Sequence, residues 1–317
     1  MRIVCTGDWA AIDAAGDPQL VRALLPRRTA FVRSTSSKRS EAQVLATNID
    51  HVVICVSLAV ELNLGRIERF LALAMSGAGG DGPLHKSALA WTSGAQPLVV
   101  LTKADLVEDT AYLLADAESA APGVQVIVVS AVTGEGLDVL AAVLAGTTSV
   151  LLGSSGAGKS TLTNAVLGRE AQEVQAIRDS DGKGRHTTTT RDLHLLPGGG
   201  VLIDTPGLRG VGLWNADSGL TQAFADIEEI ATECRFHDCS HNAEPGCAVL
   251  AALEEGGLTH RRLDSYRKLL RENAWIASRT DHRMRAEMRR QWKERSAAGR
   301  EMYERKRGGG GGHRKAY

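Results

Sequence analysis

The chain has 317 residues, 37 Lys+Arg against 37 Asp+Glu, 43% hydrophobic and 23% charged residues, and only 4% aromatics. That length calls for two or three domains, and that composition is ordinary for a globular protein with a core of Leu, Val, Ile and Ala. No apolar run reaches the roughly 18 residues of a membrane span, and Met1 to Asp8 lacks a signal peptide's apolar stretch, so a cytoplasmic protein without membrane contact is expected.

In chain order, residues 1–46 form a short β-rich segment without strand–helix rhythm. Buried strands are predicted at His51–Ser57, Pro97–Thr102, Val124–Ser130, Thr148–Gly153 and Val201–Asp204, each a short apolar run. Leu64, Ile67, Leu71 and Met75 fall at helical spacing, as do Leu137, Leu140, Ala141 and Leu144, with Gly146 as a stop. Such alternation predicts an α/β domain with a mostly parallel sheet, over residues 47–213. Two loops interrupt it. Ser76–Gln96 is rich in Gly and Ser and reads as a surface insertion, and Asp179–Arg191 is polar with four consecutive Thr. Residues 214–317 form a third segment, with a helix predicted from about Leu258 to Tyr303.

Gly153, Ser154, Ser155, Gly156, Ala157, Gly158, Lys159, Ser160 and Thr161 fit G-x-x-x-x-G-K-[ST] between a predicted strand and a predicted helix. Glycines there let backbone N–H groups close around phosphates, and the helix N-terminus adds partial positive charge. Lys159 is placed to reach the β- and γ-phosphates and Ser160 to bind Mg²⁺. Thr102-Lys103-Ala104-Asp105 ends a strand and resembles the guanine-recognition motif [NT]-K-x-D of GTPases. A carboxylate at Asp105 can accept two hydrogen bonds that guanine donates and adenine cannot. Ser130-Ala131 resembles the S-A-x motif that lines the base from the other side. Asp204-Thr205-Pro206-Gly207 matches D-x-x-G, with Asp204 on the Mg²⁺ shell and the Gly207 N–H as γ-phosphate sensor. The guanine motif precedes the phosphate loop, whereas most GTPases have the reverse order, so the motifs are circularly permuted.

The position after Gly207 is Leu208, where many GTPases carry a water-orienting Gln. Gly184-Arg185-His186-Thr187-Thr188-Thr189 is the substitute: Thr188 or Thr189 for Mg²⁺, His186 for the attacking water, Arg185 against developing charge. Slow intrinsic turnover, completed by a partner, is expected. Cys234, Cys239, His241 and Cys247 supply a full tetrahedral set for one structural Zn²⁺, with His237 a rival nitrogen ligand. From Arg283 to Tyr317 there are twelve Lys/Arg against four Asp/Glu, so an acidic body carries a basic tail suited to a polyanion such as RNA.

Together these motifs resemble the RsgA (YjeQ) family of circularly permuted GTPases of small-subunit ribosome maturation, over nearly the whole chain. Leu25-Pro26-Arg27-Arg28 and Asn48-Ile49-Asp50 are also similar to family stretches. The resemblance implies an N-terminal OB-fold, a central GTPase and a C-terminal, mainly helical zinc domain, acting on the small ribosomal subunit and its rRNA. Gly7-Asp8-Trp9 resembles a mid-barrel stretch yet lies near Met1, so a partial barrel or an upstream start is expected. A GTP hydrolase, monomeric, with GTP and GDP as ligands, is the leading expectation. A nucleotide-gated ribosome-binding module with little hydrolysis is the alternative, and a metabolic P-loop kinase is disfavoured by Thr102–Asp105.

Overall fold

The computed structural model describes residues 4–34, 42–76, 95–171, 192–204 and 216–280. The chain divides into two compact units, Met1–Asn273 and Ala274–Tyr317, with the border inside the last described helix.

The first unit opens with two antiparallel pairs, β1 (Ala10–Asp13) with β2 (Leu20–Leu24), and β3 (Ala30–Ser34) with β4 (Ala42–Thr47). The first pair is almost wholly exposed, whereas Phe31, Leu45 and Ala46 of the second are buried. Asp8 and Arg27 hold the strands together through two charge-assisted bonds of 2.7 and 2.8 Å. Asn48, in the left-handed region at φ 53°, accepts from the Arg28 N–H and donates to the Gly7 carbonyl. A short polar amide suits that conformation and satisfies the turn locally. Asp50 then bonds to both backbone groups of Thr148, so this segment is fastened to the edge opposite the nucleotide motifs.

The core is a six-stranded sheet with β5 (His51–Ser57), β6 (Gln96–Thr102), β7 (Val126–Val129), β8 (Thr148–Leu152), β9 (Asp192–Leu195) and β10 (Val201–Asp204), in the order β7-β6-β5-β8-β10-β9. All pairings are parallel except β9 with β10. Residues 52–56 of β5 are buried without alternation, as expected of a strand covered on both faces. Strand order reverses direction beside β5, which places a crevice at the carboxyl ends of β5 and β8.

Helices α1 (Leu64–Met75), α2 (Ala111–Ala120), α3 (Leu137–Leu144) and α4 (Lys159–Leu167) cover the sheet. The Asn63 side chain caps α1 by accepting from the Arg66 N–H at 2.9 Å. Beyond the sheet come α5 (Asp217–Ala223), α6 (Ala225–Ala231), α7 (Ala248–Glu254) and α8 (His260–Thr280). Gly219 of α5 rests directly on α1: a Cβ there would lie 2.0 Å from the Ala72 carbonyl oxygen.

Arg262 of α8 joins these layers. Its guanidinium donates to Glu68 of α1 (2.9 Å), the Ala120 carbonyl (3.3 Å), the Ala223 carbonyl (2.7 Å) and both carboxylate oxygens of Asp226 (3.0 and 2.8 Å). It also stacks 4.3 Å from the centroid of Phe224. Arg69 and Glu272 add a bidentate pair between α1 and α8.

The structure differs from the sequence expectations at several edges. The strand predicted at Val124–Ser130 is Val126–Val129, because Val124 turns back to the Ala121 carbonyl and Ser130 to that of Glu135. Gln96, assigned to the loop insertion, opens β6 and pairs with His51. The last helix starts at His260 rather than Leu258 and is described as far as Thr280.

Candidate functional site

The carboxyl ends of β8, β6 and β7 converge on one cleft. From β8 the chain enters a loop whose first residue has no room for a side chain. A Cβ on Gly153 would lie 2.6 Å from the Cys55 carbonyl oxygen. Gly156 and Gly158 have φ of 78° and 83°, a region that favours glycine. Gly158 caps α4, so the exposed backbone of Ser155 and Gly156 precedes a helix N-terminus. Lys159 is buried and its ammonium donates to the Gly153 and Ser154 carbonyls, both at 2.9 Å. Burial pushes the Lys159 ammonium below its ordinary value, against the pull of Cys55 and Asp204 nearby. Cys55 is a packing residue, its thiol pushed up to about 12 by complete burial.

β6 delivers Thr102, whose buried hydroxyl donates to the Ala157 carbonyl at 2.8 Å and so ties this strand end to the phosphate-type loop. Lys103 follows at φ 64°, and Asp105 starts within a short 3-10 turn at Ala104–Leu106. The Ser130 hydroxyl donates to Asp105 Oδ1 at 2.6 Å and accepts from the N–H groups of Val132 and Thr133. One carboxylate oxygen is thus oriented from the next strand. Thr102, Lys103, Asp105, Ala131, Gly158 and Thr161 line a cavity of about 280 Å³. Sequence reasoning missed its apolar walls, Leu106, Val129, Val132 and Leu162. The large hydrophobics just after T-K-A-D and S-A were the available signal, since a flat base needs apolar faces.

Ser160 starts α4 beside Lys159, and Asp204 ends β10, the neighbour of β8. Arg185, His186, Thr187, Thr188, Thr189, Gly207 and Leu208 lie outside the described residues.

A second cluster lies in the stretch between α6 and α8. The ligand atoms of Cys234, Cys239, His241 and Cys247 all fall within 4.8 Å of one another. His241 Nδ1 lies 3.6 Å from Cys234 Sγ and 3.4 Å from Cys247 Sγ, and those two sulfurs are 3.9 Å apart. A tetrahedral ion with metal–sulfur bonds of about 2.3 Å requires sulfur–sulfur edges of about 3.8 Å, so the set fits a metal ion. His237, the rival, is exposed and is not part of this cluster. His241 takes a left-handed φ of 56°, and Arg267 of α8 donates to its carbonyl.

A family model described as RsgA GTPase matches residues 86–214. A small ribosomal subunit biogenesis GTPase RsgA of Streptomyces avermitilis is 66% identical over 311 residues, covering 97% of this chain and 80% of that protein. The chain belongs to the RsgA GTPase family. Another member, RsgA 2 of Lactiplantibacillus plantarum, is 44% identical over 271 residues, covering 85% of this chain and 72% of its own. The crystal structure of YjeQ from Thermotoga maritima aligns with a TM-score of 0.59 at 26% identity, covering 85% of this chain and 84% of that one. YloQ, described as a circularly permuted GTPase, shares the fold at a TM-score of 0.53 and 21% identity, covering 88% of this chain and 93% of its own. The family fold accounts for the motif order, because strands β5 to β7 precede the phosphate-type loop in the chain yet lie beside it in the sheet.

Proposed function

We propose that this protein is a GTP hydrolase that binds the small ribosomal subunit and its rRNA and hydrolyses GTP during late subunit maturation. The observation that carries the reading is the meeting of Asp105, held by Ser130, with the Gly153–Thr161 loop across one apolar-walled cavity. Family membership supplies the subunit as partner. In this reading Asp105 accepts the two N–H bonds of the guanine edge, with Thr102, Lys103, Ser130 and Ala131 around the base. The backbone of Gly153, Ser154, Ser155, Gly156, Ala157, Gly158, Ser160 and Thr161 cradles phosphate, and Lys159 exchanges its two loop carbonyls for phosphate oxygens. Ser160, Asp204 and Thr188 or Thr189 would hold Mg²⁺, which supplies charge neutralisation at the β- and γ-phosphates. Gly207 would sense the γ-phosphate, and His186 would orient water.

The cysteine cluster is read as one structural Zn²⁺ site, since four protein ligands leave no open position. We assign residues 1–46 to a partial OB-like segment, 47–213 to the GTPase and 214–317 to the zinc-binding domain with its basic tail. The protein is expected to be cytoplasmic and monomeric. No helix of the described residues is long and apolar enough to cross a membrane.

Competition against a fluorescent guanine nucleotide tests the base assignment: GTP and GDP displace it and ATP does not, and equal displacement by ATP would remove the assignment. Leu208, in place of a water-orienting Gln, favours a second reading in which GTP licenses docking with little hydrolysis.

A further inference from the structure

His241 sits in a loop whose backbone is fixed from two sides. From within the loop, the Glu244 carboxylate accepts from the N–H groups of Ser240 (3.1 Å), Asn242 (2.8 Å) and Ala243 (3.0 Å). From outside it, the guanidinium of Arg267 on α8 donates to the His241 carbonyl. Between these ties His241 takes its left-handed φ of 56°, a conformation that disfavours a side chain and persists where the surroundings impose it. The atom brought to the sulfurs is Nδ1, 3.6 Å from Cys234 Sγ and 3.4 Å from Cys247 Sγ. Nδ1 is the ring nitrogen nearer the main chain, so its position follows the backbone of residue 241 more closely than that of Nε2 would.

Arg267 has little other use among the described residues. Its ion pair with Asp264 is long, 3.7 Å, and Asp264 is 76% exposed, so solvent screening leaves that pair little weight. Its Nε is buried and has no partner among the described residues. The bond to the His241 carbonyl is what the side chain gains from its place. α8 gives it a fixed base, because Arg262 donates to Glu68 of α1 and Asp226 of α6, and Tyr266 donates to Glu228 of α6. One Zn²⁺ with three thiolates and a neutral imidazole is a net anion, and a guanidinium bonded to a ligand residue brings a compensating cation.

We propose that Arg267 is a positioning residue for the metal ion: from α8 it holds the His241 backbone in the turn that brings Nδ1 to Cys234 and Cys247. The inference rests on the structural-metal reading above. It makes metal affinity depend on the seating of α8, and by linkage makes the bound metal stabilise that seating in turn.

The test uses the full chain, with Zn²⁺ affinity measured by competition against a chromogenic chelator and the visible spectrum recorded with Co²⁺ in place of Zn²⁺. Arg267→Ala is expected to weaken Zn²⁺ binding about 10 to 100-fold, the usual cost of removing an outer partner of a metal ligand. With Co²⁺ bound at saturation, its ligand-field bands should shift, because the imidazole is no longer held in place. The thiolate-to-metal charge-transfer bands should stay, because Cys234, Cys239 and Cys247 remain. Arg267→Lys keeps a cationic donor and should recover most of the affinity. Equal Zn²⁺ affinity in the unaltered chain and Arg267→Ala overturns the inference, as does a Lys variant as weak as the Ala variant. Weakened affinity with an unshifted Co²⁺ spectrum would make Arg267 a fold residue only, and overturns it too. If the unaltered chain took up neither Zn²⁺ nor Co²⁺, the metal reading itself would fall.

Discussion

At the scale of single residues, the site depends on side chains that orient other side chains. Asp105 is exposed enough to meet a base, and its rotamer is fixed by Ser130 behind it. Asp105→Asn turns one acceptor into a donor, so preference should shift toward xanthine nucleotide, whose 2-oxygen can accept. GTP affinity should fall about 10 to 100-fold, the cost of losing a bond to a charged group and leaving a polar pair unmatched. Competition between GTP and XTP checks this, and an unchanged order of preference would place guanine recognition elsewhere. Asp8 offers a test at the other end of the molecule. The Arg27 guanidinium, with the Cys5 N–H and the Thr47 hydroxyl, outweighs burial and holds the Asp8 carboxyl at about 2, from an ordinary 3.8. A lowered carboxyl stabilises the fold above its unfolded value, and that contribution is lost as pH falls from 3.8 toward 2. Amide exchange at Thr47 and Asn48 should accelerate over that window, and Asp8→Asn should flatten the dependence. The motif residues were legible because each type has a single chemical use at its spacing. Ser130 was legible as a motif residue, but its bond to Asp105 was not, since the two meet through the pairing of β6 with β7.

At the scale of elements, five of the six strands of the central sheet were readable and most helices beyond it were not. Runs such as Val52–Val56 are apolar at every position, which only a doubly covered strand requires. α5, α6 and α7 are seven residues each, too short to show a period, and they owe their helicity to packing rather than propensity. β9, exposed at three of its four positions, gave no apolar run to detect. Arg262 is where that packing concentrates, and charge counting alone would have placed it on the surface. Arg262→Lys keeps the charge but cannot span Glu68, Asp226 and two carbonyls at once. Glu68 is fully buried, and its Oε2 has no partner among the described residues, so a weakened pair leaves a poorly compensated charge. A loss of about 3 kcal/mol in unfolding free energy is expected, read from the denaturant midpoint. An unchanged midpoint would mean that the α1–α8 contact is held by apolar packing and the Arg69–Glu272 and Arg261–Glu68 pairs.

At the scale of the whole molecule, α8 is tied by Arg262 to α1 and by Arg267 to the metal-ligand cluster. The circular order of the motifs puts the D-x-x-G stretch, rather than the guanine motif, ahead of the C-terminal helices in the chain. A basic tail on an acidic body is a charge pattern suited to a polyanionic partner. This chain is expected to hydrolyse GTP in response to the small ribosomal subunit. GTP turnover by the full chain, titrated with purified small subunits at fixed salt, tests it most directly. Slow turnover alone, a saturable rise with subunits, and no rise with ATP in place of GTP are expected. Turnover that stays at its basal value across the titration, while GTP-dependent subunit binding is retained, would contradict it and leave a nucleotide-gated docking protein.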